Sequence, residues 1–562
     1  MTTSTQCRKG EFVSNANANL PTSSDDLRPI PPPTPFDLSS LPNTGYCNWS
    51  FNNETRVLLA DFRNAPQQQQ QQQQSMEERQ QGGRMKRNEV HIEREDEIFL
   101  LHMMEKDDIT VISEGLADTI NPSLWKYDYI DGCIGSEYHH KFRSFIEERE
   151  KDGWYSMKFS DYFRYLERRQ VVKKMNSGSG GESTTMVNDE SPNNTDFTFT
   201  DSYGMEHSVN VDTEAIYMLD VDATKLLPHA WEDLQRNFKL PSIFPGGAHC
   251  MMNAVSARGR PFMGPNLYVT PPTSFTAFHQ DGHGTVDSGH WCMTGYNEVV
   301  MLRRLTERHK CHAVKLLTGT TDSYATLYGL PHRDGNMAGQ PDWPSSNAID
   351  QCKRMGYCPS VFILKPGQVV HINKGRLHAF RKLAPKVLPK TDCHFELRNT
   401  ILRTKEDESL PIEEDICMSI AWDWMFKGVT SEGINREVAS ILECSRLNRQ
   451  HELQSLAIPE TALLFLAKEN IAKYKVESRT NTGDVDCISS PFAIDDKFVP
   501  DSATVIRGIL PSLEYAVTRH RSAVEFCEYW EKETKNVKDS WCVLIDAKPN
   551  TWQDPMKFPL DP

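Results

Sequence analysis

The chain of 562 residues carries 62 Lys and Arg against 77 Asp and Glu, a formal charge of −15, and only 38% hydrophobic residues. That length implies two or three folded units plus tails, and the low apolar share implies that part of the chain is unfolded. The negative charge argues against a non-specific grip on nucleic-acid phosphates, and no run of about 18 apolar residues offers a membrane span.

Residues 1–85 contain PIPPPTPF at 29–36 and an unbroken glutamine run, Gln67 to Gln74, and are expected to be disordered. Residues 86–175 read as an N-terminal helical region. Ile98, Leu100, Leu101 and Met104 mark one amphipathic helix, and Phe159, Tyr162, Phe163 and Leu166 mark another. Between them, SLWKYDYIDGCIGSEYHHKFRSFIEE reads as an extended segment followed by a helix, with the adjacent His139 and His140 at or near the surface.

Residues 176–210 are rich in Gly, Ser and Asn without periodicity, the composition of a flexible insertion. From 211 to 430 come short β-rich pieces divided by Gly, Pro and Asn: NLYVT, SFTAF, NEVVML, SVFIL, QVVHI and CMSIAWDWM. That rhythm predicts an antiparallel barrel or jelly roll. Residues 303–359 read as a polar insertion holding one helix, and Trp422 and Trp424 as core residues. Residues 431–562 read as a mostly helical C-terminal region. The expected fold class is therefore α+β, a barrel with flanking helices. Fourteen cysteines without a tight repeat, behind a polar N-terminus, read as reduced thiols of a nuclear or cytosolic protein.

The chemistry concentrates in the stretch around SFTAFHQDGHG. His279 and Asp281 stand two apart at the end of a strand, where alternate side chains share a face. About a hundred residues later PGQVVHINKGRLHAF brings His378 after a strand and a turn. Two histidines and a carboxylate form the facial triad that leaves three positions open on an iron(II) ion. The competing reading is a His–Asp hydrogen-bonded pair in a core. His283 falls in a Gly-flanked turn and His371 inside a strand, so both rank behind His378 as ligands. Cys311, His312, Cys352 and Cys358 are spaced too loosely for a zinc site, and the three cysteines read as buried thiols.

GPNLYVTPPTSFTAFHQD and PGQVVHINKGRLHAF resemble the two metal-binding motifs of JmjC-domain proteins, and the resemblance extends over roughly residues 120–430. It implies a double-stranded β-helix with Fe(II) held by His279, Asp281 and His378, and 2-oxoglutarate as co-substrate. It also implies that the Thr276 hydroxyl contacts the distal carboxylate of 2-oxoglutarate. The family's usual activities are protein hydroxylation and Nε-methyl-lysine demethylation, so a protein substrate such as a histone tail and a nuclear location are expected. This chain departs from the pattern in one place. Thr294, Gly295, Tyr296 and Asn297 occupy the window where the family has a Lys for that carboxylate. Tyr296 or Asn297 could donate to it instead, and Arg303, Arg381 or Lys382 could supply the cation. A catalytically inactive chromatin scaffold, or a cupin using another metal, are the alternatives.

Overall fold

The computed structural model describes residues 27–63, 94–135, 138–145, 153–176, 195–254, 263–272, 274–320, 343–383 and 416–430, with a few single residues beyond, Gly433 and Glu437 among them. In chain order the main elements are β1 (Asn48–Asn52), β2 (Val57–Asp61), α1 (Arg94–Met104), β3 (Thr110–Glu114), α2 (Tyr127–Ile134), β4 (His139–Phe145), β5 (Gly153–Lys158) and α3 (Phe159–Asn176). They continue with β6 (Asp196–Thr200), β7 (Glu206–Asn210), β8 (Ala215–Asp222), α4 (Ala223–Leu226), α5 (Pro228–Asn237), β9 (Asn266–Thr270), β10 (Phe275–His279), β11 (Asp287–Thr294) and β12 (Tyr296–Met301). The last are α6 (Glu307–Thr318), α7 (Ser346–Arg354), β13 (Ser360–Leu364), β14 (Gln368–Ile372), β15 (His378–Leu383) and β16 (Cys417–Trp424).

The fold is α+β. Among the described residues a ten-stranded sheet runs in the order β1-β2-β3-β14-β11-β16-β9-β8-β4-β5, and a four-stranded sheet in the order β10-β15-β12-β13. Every pairing in them is antiparallel except β2 with β3. The sheets pack face to face. Val370 and Ile372 of β14 and Cys292 of β11 meet Val299 and Met301 of β12, Phe362 of β13 and Phe380 of β15 in one buried cluster.

Alternation along the strands sends the intervening residues the other way. Val369, Trp291, Ile420 and Trp422 join the larger core under α1, α3 and α5. The outer face of the small sheet does the same through Val300 and Ala379, which pack on Ala313, Val314 and Leu317 of α6 and Ala348 of α7. Helices therefore cover both outer faces, and the inner faces enclose the space in which the site forms. No helix among the described residues is long and apolar enough to cross a membrane.

Several sequence expectations need correction. Residues 48–61, assigned to the disordered 1–85 tail, form β1 and β2. Val57, Leu58 and Ala60 are wholly buried, and the flanking Pro and Gln runs had masked this short apolar alternation. Residues 196–210 of the supposed flexible insertion form a hairpin whose Phe199 and Val209 reach the core. Around 120–145 the order is reversed: α2 precedes the strand β4. Among the described residues of 303–359 there are two helices, α6 and α7, where one was expected. β3, β5, β8 and β11 were not anticipated as strands. Of the 431–562 helical region, all but a few residues lie outside the described part. The two tryptophans are core residues as expected, at 1% and 2% exposed.

Candidate metal centre

β10 ends on His279, and residues 281–284 turn the chain back into β11. Gly282 and Gly284 take φ values of 48° and 83° around His283 at 51°, a left-handed run that glycine makes accessible. The strand stops before Asp281, so it is this turn, and not the strand alternation expected from sequence, that holds Asp281 beside His279. His378 arrives through the ladder instead: it stands directly opposite His279 in the antiparallel β10–β15 pair, where opposed side chains share a face.

Nε2 of His279 lies 3.5 Å from Oδ1 of Asp281, and Nε2 of His378 lies 3.5 Å from its Oδ2. The two imidazole centroids are 4.2 Å apart, and one ligand atom from each of the three residues falls within 4.8 Å of the others. Nδ1 of His279 is 2.8 Å from the Ala277 carbonyl, and Nδ1 of His378 is 3.1 Å from that of Arg376. A carbonyl can only accept, so each Nδ1 carries the proton and each Nε2 turns a lone pair to the centre. The cluster can hold a metal ion. Among the described residues it is the one group of three or more His, Cys, Asp or Glu side chains so arranged.

Burial drives the His378 pKa down to about 4, so the ring is neutral near pH 7. Burial also pulls His279 down, but the Asp281 carboxylate outweighs it and leaves the pKa raised. For Asp281 burial opposes ionisation, and His378, His279 and the Ser288 hydroxyl more than offset it, holding the carboxyl well below its usual range.

The triad is fixed from both sides. Between the two ligands, Gln280 points away and accepts a 2.8 Å hydrogen bond from the buried Lys310 ammonium of α6. Ser288 Oγ lies 2.6 Å from Oδ2 of Asp281 and 2.7 Å from Oδ1 of Asp423. One hydroxyl proton cannot serve both. Burial and the Asp281 charge push the Asp423 carboxyl well up, so Asp423 keeps the second proton.

Beyond the triad the inner face continues along β15 through Phe380 to Lys382, about 13 Å from His378 at ~3.3 Å per residue. Lys382 is 5% exposed, donates to Oδ1 of the wholly buried Asn297, and sits 5.5 Å over the Phe380 ring. Burial lowers its pKa. Thr276 stands opposite Phe380, and Asn297 opposite Lys382, so both face this lane. His290 stacks on Phe380 at 4.5 Å from the other wall. Two buried polar atoms in the same space, Nε2 of His290 and Oγ of Ser419, have no partner among the described residues.

Of the residues proposed from sequence, His279, Asp281, His378, Thr276 and Asn297 are brought together. Tyr296 is not, because it pairs with Leu383 on the opposite face of the small sheet. Of the alternative cations, Arg381 turns outward to Glu298 and the Trp343 ring, and Arg303 reaches the Pro31 carbonyl. His371 lies on the far side of β14, 3.1 Å from Ser113. Ser288, His290 and Asp423 were missed. The signal for the first two was present in DSGHWCMT, where Ser288, His290 and Cys292 alternate with Gly289, Trp291 and Met293, and that for Asp423 in its place between Trp422 and Trp424. Searched against protein-family models and against curated proteins, the chain matches neither.

Proposed function

We propose that the chain is an Fe(II)- and 2-oxoglutarate-dependent oxygenase built on a double-stranded β-helix and acting on a protein substrate, with demethylation of a histone Nε-methyl-lysine as the leading activity. The observation that carries the reading is the triad: two imidazoles locked with Nε2 inward and one ionised carboxylate, all within 4.8 Å. That donor set, two neutral nitrogens and one charged oxygen, suits a borderline divalent ion with positions left open.

The strand order supports the fold. Among strands β9 to β16, β9-β16-β11-β14 form one layer and β10-β15-β12-β13 the facing one, so first and last strands are neighbours, as in a β-helix wound from a folded hairpin. The lane from His378 to Lys382 supports the co-substrate. A dicarboxylate seated there would meet the Lys382 ammonium at its far end, with Asn297 and the Thr276 hydroxyl beside it. Charge-assisted hydrogen bonds to a buried ammonium are among the stronger anchors available. When bound, the iron and the oxo-acid together supply oxidation of an unactivated substrate C–H bond.

The chain's own residues do the holding and shielding. Ser288 and Asp423 orient the Asp281 carboxylate, Phe380 separates metal from ammonium, and the facing sheets exclude bulk water. At the rim Tyr268 donates a 2.7 Å hydrogen bond to Asp220, an exposed carboxylate on a bulged strand with φ 56°. An acidic rim favours a cationic side chain, which fits a methylated lysine.

Turnover tests the proposal. The full chain with Fe(II), 2-oxoglutarate and methyl-lysine histone peptides is expected to release succinate and formaldehyde, and His279→Ala to release neither. Succinate with a stable +16 Da peptide would replace demethylation by hydroxylation. No 2-oxoglutarate consumption with any peptide library would remove the oxygenase reading.

A further inference from the structure

The segment 27–36, LRPIPPPTPF, lies against the protein along one edge only, and its burial repeats at every third residue. Leu27, Ile30, Pro33 and Phe36 are half-buried, and every residue between them is exposed. Backbone sterics account for the period. Proline fixes its own φ at about −65° and pushes the residue before it into the extended region. Every residue from 28 to 35 is a proline or precedes one, so the run forms a polyproline II helix, with three residues per turn.

The inward ridge of that helix is anchored. Ile30 packs on the buried cluster beneath α6 and α7, and the Phe36 ring lies 4.5 Å from that of Phe51 on β1. The Ile30 amide donates to the Met355 carbonyl at 3.0 Å, and Arg303 donates to the Pro31 carbonyl at 3.2 Å. A Cβ at Gly356 would collide with the Ile30 carbonyl, so the segment lies close on the turn after α7. At its far end Asp37 accepts from the Ser39 amide and stops the run.

The outward side carries three x-Pro pairs in series, Arg28-Pro29, Pro31-Pro32 and Thr34-Pro35, which set Pro29, Pro32 and Pro35 in one exposed row. A strap needs only its inward ridge, and polar residues would serve on the other two; here the exposed ridges are mostly proline. Grooves lined by aromatic side chains grip successive x-Pro pairs through two ridges of such a helix and leave the third facing away. The ridge left over in this case is the one already seated on the protein, so a partner and the body of the chain can hold the helix together.

We infer that residues 28–35 are a preformed docking site for a partner domain of the SH3 class, which takes paired x-Pro units in an aromatic-lined groove. The inference stands apart from the triad and does not depend on the oxygenase reading.

Interferometry of the immobilised full chain against an array of purified SH3 domains, with WW and EVH1 domains alongside, tests the assignment. At least one SH3 domain is expected to bind saturably. Pro32→Ala with Pro35→Ala, at exposed positions, is expected to weaken it at least tenfold while the circular dichroism of the chain stays the same. The chain holds the helix ready-ordered, so the same domain is expected to bind it at least threefold more tightly than the free peptide of residues 27–37. Ile30→Asn, on the anchored ridge, is expected to bring the full chain down to the affinity of the peptide and to leave the affinity of the peptide itself as it was. Lack of saturable binding by any SH3 domain, binding by WW or EVH1 domains alone, a double variant that still binds, equal affinity of chain and peptide, or an Ile30→Asn chain that binds as the parent does overturns the assignment.

Discussion

On the proposed oxygenase reading, Lys382 is the residue on which 2-oxoglutarate binding turns. Its ammonium is the buried cation on the inner face beyond Phe380, bonded to Asn297. Removing a charge-assisted hydrogen bond worth ~1.5–3 kcal/mol predicts that Lys382→Met weakens 2-oxoglutarate about 10- to 100-fold. Calorimetry with Mn(II) as the stand-in metal measures this, with Mn(II) affinity itself expected to hold. An unaltered 2-oxoglutarate affinity would move the anchor elsewhere. Gly289 is decisive at the same scale for a different reason. A Cβ there would come within 2.3 Å of the Trp422 ring, whose Nε1 donates to the Ile243 carbonyl and cannot swing away freely. Gly289→Ala is expected to lose about 1–3 kcal/mol in urea denaturation, and wild-type stability would contradict that packing.

The turn between β14 and β15 acts as a unit. Asn373, Lys374 and Arg376 look like surface residues, yet none is more than 5% exposed. The Arg376 guanidinium donates to the carbonyls of Leu302 and Ile109, each at 2.7 Å, and to the Thr110 hydroxyl at 2.9 Å. Its own carbonyl orients His378. Lysine cannot reproduce a three-way fork, so Arg376→Lys is expected to lose metal affinity about 10-fold, the usual scale for a group that orients a ligand. Mn(II) titration checks this, and unchanged binding would show that the turn is held by other means.

On the preceding strand, burial pushes the His371 pKa down to about 3. A depressed histidine contributes stability that is complete above the unfolded value near 6.5 and is lost as pH falls, because only the unfolded chain gains the proton. Thermal melts from pH 7 to pH 4 are therefore expected to fall less steeply in His371→Gln than in the parent chain. Parallel slopes would refute it.

Across the whole molecule, a buried charge network ties the start of the C-terminal region to the strands of the site. Lys374 Nζ lies 2.6 Å from Asp287 and bonds Glu437, which also holds Arg304 at 2.9 Å. Glu437→Gln leaves two buried cations short of a counter-charge. Breaking such a pair costs about 3–5 kcal/mol, and urea denaturation of the full chain measures it. A loss under 1 kcal/mol would mean that water or other groups screen the cluster.

The sequence alone determined the α+β class, the strands β9, β10, β12, β13, β14 and β16 that frame the site, and the three residues that cluster there. Strand alternation and a two-residue spacing are local properties, and local properties survive in a string of letters. Tertiary structure decided the rest. Lys382 and Asn297 are 85 residues apart, and only the β12–β15 register makes them opposite neighbours. Glu105 takes the amides of Val429 and Thr430 from 324 and 325 residues away. β1 and β2 are strands because β3 is there to pair with them. Lys374 and Arg376 are buried because carbonyls and carboxylates from distant elements surround them, and no composition or periodicity reports what a residue will meet across a fold.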